Sequence, residues 1–132
     1  MERRMALVRL GDIAVDWNSI YLIALNNKNE IEIHFDVPPD QQPPLKIEHG
    51  EMSLRIWDRA RDDERLEVFD GFAMDISLLR VVALAQDGPF LLFALPSGRF
   101  AKIICPSGDV ITAIFGRFEN PGDGERVEPI DK

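Results

Sequence analysis

The chain has 132 residues, 45% of them hydrophobic and 29% charged, which fits one folded domain with a core of its own and excludes a disordered profile. Its formal charge of −8, with a pI near 4.7, repels phosphate backbones and anionic lipid and so argues against nucleic acid and membrane as partners. A single cysteine, Cys105, excludes an intramolecular disulfide and points to a reducing, cytosol-like compartment.

The first residues, Met1-Glu2-Arg3-Arg4-Met5, carry basic charge but no apolar h-region follows, so no signal peptide is expected. The longest apolar runs, 20–25 and 90–96, are too short to span a bilayer, and the reading is of a soluble, cytoplasmic protein. Residues 6–10 and 13–17 flank Gly11-Asp12 and predict a hairpin. The run Ile20-Tyr21-Leu22-Ile23-Ala24-Leu25 is apolar throughout, as in a strand covered on both faces. Asn26-Asn27-Lys28-Asn29 then turns the chain, asparagine tolerating positive φ. From Glu30 to Val37 the odd positions are apolar and the even ones polar, the period-two pattern of a half-buried strand.

Four prolines fall among residues 38–44, removing four backbone donors; the segment reads as a stiff surface connection within one domain. Residues 45–49 and 52–58 alternate again, with Met52, Leu54 and Ile56 on one face, and 59–65 reads as a charged loop tip between strands. Over 75–86 a strand is preferred to a short helix capped by Ser77, because Val81-Val82 is β-branched. Asp87-Gly88, Ser97-Gly98 and Ser107-Gly108 then recur every ten residues between the apolar runs 90–95, 100–105 and 110–115, the mark of an antiparallel meander. The tail 119–132, with two prolines, two glycines and five acids, is expected to be flexible. The fold class expected is therefore all-β: a single domain over 1–118, an antiparallel meander closed into a small barrel or folded as a sandwich, with at most one short helix near 75–86.

Candidate chemistry is sparse. His34 and Asp36 share a strand face, and His49 added to them makes a two-histidine, one-carboxylate set, but these polar side chains also suit a solvated face, so the residues stand only as weak metal candidates. Cys105 closes an apolar strand and reads as a core residue. Ser97 and Ser107 are turn formers without a nucleophile elbow. Asp70 and Asp75 suit strand ends and caps. No cofactor motif is present. Trp57, with Arg59 and Arg61 placed to stack on it, is the favoured surface contact. The leading functional expectation is a non-catalytic protein-binding adaptor, its partner protein being another chain or a second copy in a homodimer. An acidic inhibitor or immunity-type protein is the alternative, and a barrel-type ligand binder or enzyme has the least support.

Overall fold

The computed structural model describes residues 6–38, 40–85 and 88–119, and the chain divides into two compact units, Met1–Leu78 and Leu79–Lys132. In the first unit, β1 (Leu7–Leu10) and β2 (Ile13–Asp16) form the expected antiparallel hairpin, turning at Gly11 with φ +72°. Asp16 then caps a 3-10 turn, Trp17–Ser19: its Oδ1 accepts the N–H groups of Asn18 and Ala6, both at 3.1 Å. This stitches the start of the hairpin to the turn and fixes Trp17 in the core.

β3 (Ile20–Leu25) is the central strand of a five-stranded antiparallel sheet, which is why its sequence is apolar throughout. The asparagine loop joins it to β4 (Ile31–Phe35): Asn26 Oδ1 accepts from Lys28 N and Glu30 N, and Asn29 takes φ +62°. Ile31, Ile33 and Phe35 are buried while Glu32 is exposed, as the alternation requires. The proline-rich segment links β4 to its sheet neighbour β5 (Leu45–Ile47). On the other side of β3, β7 (Phe72–Met74) pairs with β6 (Glu67–Phe69), and the order is β5-β4-β3-β7-β6. The β6–β7 turn places Asp70 at φ +47° and Gly71 at φ +84°, and a Cβ on Gly71 would lie 2.8 Å from the Leu25 carbonyl oxygen. Glycine is required there by both the backbone angle and the close approach.

The largest departure from expectation is α1 (Glu51–Asp62), a helix where 52–58 reads as a strand and 59–65 as a loop. The alternation of Met52, Leu54 and Ile56 is incidental. The buried residues are Ser53, Ile56 and Ala60, at helical spacing, and Met52 and Leu54 are exposed at 40% and 43%. Glu51, Met52, Leu54, Arg55 and Ala60 are good helix formers. At its start the Ser53 hydroxyl accepts the Gly50 N–H and donates to the Gly50 carbonyl. α1 packs on β3, and Ile56 and Ala60 join Trp17, Ile20, Ile23, Ile31, Ile33, Leu66 and Ala73 in the core of this unit.

The second unit holds a three-stranded antiparallel sheet in the order β10-β9-β8, from β8 (Leu79–Ala83), β9 (Phe90–Ala94) and β10 (Phe100–Ile104). The strand preferred within 75–86 is present, preceded by a 3-10 turn at Ile76–Leu78; Gln86 and Asp87 lie outside the described residues. The run 110–115, expected as a strand, lies instead in α2 (Asp109–Glu119). Ser107 Oγ accepts the Asp109 N–H at its start, and the buried residues Val110, Ile111 and Ile114 again follow helical spacing. The expected tail beyond residue 119 lies outside the described residues. The protein is thus mostly β with antiparallel sheets, as expected, but it has two helices, and no closed barrel forms among the described residues.

Candidate functional site

A cleft of about 430 Å³ opens in the first unit between the β1–β2 hairpin and α1. β1 contributes Val8, Arg9 and Leu10, the 3-10 turn contributes Trp17, and α1 contributes Glu51, Met52, Arg55, Ile56 and Arg59. The spacing of 52, 55, 56 and 59 explains the last group: these positions share one face of a helix. Leu10, Trp17 and Ile56 are buried and form an apolar floor. The rim carries three guanidinium groups and one carboxylate, a local excess of two positive charges in a chain of net charge −8.

The three arginines differ in their bonding. Arg55 is paired with Glu51, Nη2 to Oε2 at 2.8 Å, with both side chains exposed. Arg9 donates from Nε to the Gly11 carbonyl at 2.8 Å. The guanidinium carbon of Arg59 lies over the Trp17 ring, 4.5 Å from its centroid. Among the described residues neither Arg9 nor Arg59 has a carboxylate partner.

Trp17 is held on three sides. Its indole Nε1 donates to Asp63 Oδ2 at 2.7 Å, Arg59 covers its face, and Arg65 Nη2 donates to its carbonyl at 3.0 Å. Arg65 also donates from Nη1 to the Ile20 carbonyl at 2.7 Å and lies 3.4 Å from Asp75 Oδ2. Asp75 Oδ1 in turn accepts from the Ser77 hydroxyl and N–H, so the capping role expected for Asp75 is present. The wall of the cleft is therefore built on a hydrogen-bonded frame joining α1, the 3-10 turn and the end of β7. The charged groups this lining presents beside its apolar floor are three guanidinium groups and the Glu51 carboxylate.

Of the expected surface contacts Trp57, Arg59 and Arg61, Arg59 alone lines this cleft. Trp57 is half-buried against the same core as Trp17, and Arg61 pairs with Asp58 at 2.9 Å. The tryptophan that meets Arg59 is Trp17, not Trp57. His34 lies 3.0 Å from Glu32 and near the Tyr21 ring; Asp36 follows β4, and His49 precedes α1. Among the described residues no group of three or more His, Cys, Asp or Glu side chains is arranged to hold a metal ion. Arg9, Arg55, Met52 and Trp17 were not legible as a site, because the signal, Arg55 and Arg59 one turn apart, exists only once 51–62 is known to be helical. No helix among the described residues is long and apolar enough to cross a membrane.

No family model matches the chain, and no curated protein matches it. A solved structure similar to it is the LytTr DNA-binding domain of a Bacillus cereus protein described as a methyl-accepting/DNA response regulator, with 9% identity and a TM-score of 0.43, covering 86% of this chain and 92% of that one. The expectation of a protein-binding adaptor without a nucleic-acid partner is corrected by this finding and is withdrawn. Its physical weakness lay in using net charge, an average over the surface, where binding answers to the local field. At that TM-score the likeness assigns no activity to this chain, and the functional reading rests on the cleft.

Proposed function

We propose that the chain is an anion-binding domain whose ligand carries a phosphate or carboxylate on an apolar body. The observation that carries this reading is the pair Arg9 and Arg59, which line a cleft with an apolar floor and, among the described residues, form no ion pair with a carboxylate, in a strongly acidic chain. A guanidinium presents a planar fork of donors that matches both anions, and the low-dielectric floor strengthens the attraction. Val8 and Met52, packed over the buried Leu10, Trp17 and Ile56, supply the surface on which an apolar ligand body is desolvated. The lone cysteine keeps a reducing compartment as part of the same reading.

Calorimetric titration of the full chain with inorganic phosphate, phenyl phosphate, benzoate, and single-stranded and duplex oligonucleotides tests it. Phenyl phosphate or benzoate is expected to bind more tightly than inorganic phosphate, and Arg59→Ala to weaken binding about tenfold, the worth of one charge-assisted contact. The oligonucleotide arms separate a phosphate on a small molecule from one in a strand. Absence of binding by every probe, or affinities indifferent to Arg59→Ala, overturns the reading.

A further inference from the structure

Arg59 lies in the last turn of α1 and Asp63 caps it, four residues further on. An aspartate four residues beyond an arginine at a helix end is an acid near enough in sequence to neutralise it. Here it does not. Asp63 Oδ2 accepts the Trp17 indole N–H at 2.7 Å and Oδ1 accepts the Arg65 backbone N–H at 2.9 Å, so both carboxylate oxygens are engaged away from Arg59. The Arg65 guanidinium, 4.0 Å from Asp63, adds an attraction on the same side. Asp63 is only 22% exposed, so its bonds are sheltered from competing water. Arg59 meanwhile rests over the face of the same indole.

We infer that the Trp17 indole N–H is a specificity-determining clamp: by holding Asp63 it keeps Arg59 un-neutralised, and this sets the preference of the cleft for an anion. The inference rests on the anion-binding reading of the cleft. One side chain performs two tasks, its ring positioning the guanidinium and its N–H removing the nearest competitor for it.

The test uses the full chain and phenyl phosphate. Trp17→Phe keeps a ring under Arg59 but removes the N–H, releasing Asp63 to pair with the arginine. Phenyl phosphate affinity is expected to fall about tenfold, and Trp17→Phe with Asp63→Asn to recover to within about threefold of the parent. Lost packing alone predicts no recovery, because Asp63→Asn restores no volume, and that outcome overturns the inference. Since Trp17 is a core residue, a second variant decides the matter without it. Asp63→Asn alone is expected not to tighten binding; a tenfold gain shows that Asp63 already neutralises Arg59, and the inference fails. If the parent binds no phenyl phosphate, the cleft reading fails separately. The clamp is then read from the Arg59 Nε–H nuclear magnetic resonance signal, expected to shift in Trp17→Phe and return with Asp63→Asn. An unmoved signal in the single variant overturns the clamp.

Discussion

Cys105 is buried at 4% exposure, and loss of hydration pushes its thiol above the ordinary thiol pKa. The folded protein therefore holds the proton to higher pH than the unfolded chain does. Its contribution to stability is whole below the pKa of an exposed thiol, about 8.5, and is lost as pH rises from there through the folded value. Urea midpoints measured from pH 7 to pH 10 are expected to fall more steeply for the parent than for Cys105→Ala; parallel curves would refute the linkage. A core role for this cysteine could be read from its apolar neighbours. The site could not be read in that way. Arg59 meets a tryptophan from the far end of the first unit, and no local pattern around Arg59 or Trp17 announces the contact. His34, conspicuous in the sequence, sits on the polar side of β4 but is largely covered, its side chain 13% exposed and near the Tyr21 ring, while Asp36 falls just after the strand.

At the scale of the element, the misread segments share one cause: a short apolar pattern that satisfies both periods. Met52, Leu54 and Ile56 alternate as a strand would, yet Ile56 is 5% exposed and Leu54 43%. The discriminating signals were the helix formers between them and the charged pairs Glu51/Arg55 and Asp58/Arg61 at spacings of four and three, which an exposed helix uses and a strand does not. In 110–115 the mainly apolar run, interrupted at Thr112, suits a buried strand or helix, and Asp109 two residues after Ser107 was the start signal that decided for a helix. The strands before residue 48 were legible because their turns carry their own chemistry, Gly11 at one and the asparagine loop at the other. Helicity of 51–62 predicts that Ile56→Asp costs at least about 3 kcal/mol while Leu54→Asp stays within about 1 kcal/mol. A strand would place both on one face and make the two costs similar. Chemical denaturation of the two variants separates the cases.

For the whole molecule, the proposed anion site must work against the charge of an acidic chain. Residues 1–78 hold nine basic and sixteen acidic side chains, a balance of −7, and residues 79–132 hold six and seven, a balance of −1. The cleft thus lies in the more acidic part, and its three arginines are a local exception. At physiological ionic strength the Debye length is about 8 Å, so a ligand seated in the cleft feels its rim more than the distant carboxylates. This bounds the salt dependence. A phosphodiester strand held through the cleft displaces counterions at no more than three arginines. The slope of log K against log salt is then expected to be no steeper than about −3, since each neutralised phosphate contributes about −0.9 on duplex. A basic stripe elsewhere on the molecule would give a steeper slope and survive Arg59→Ala. Titration of a duplex oligonucleotide across a range of salt, with and without that substitution, measures both quantities. A slope well beyond −3 that persists in Arg59→Ala moves the anion site away from α1.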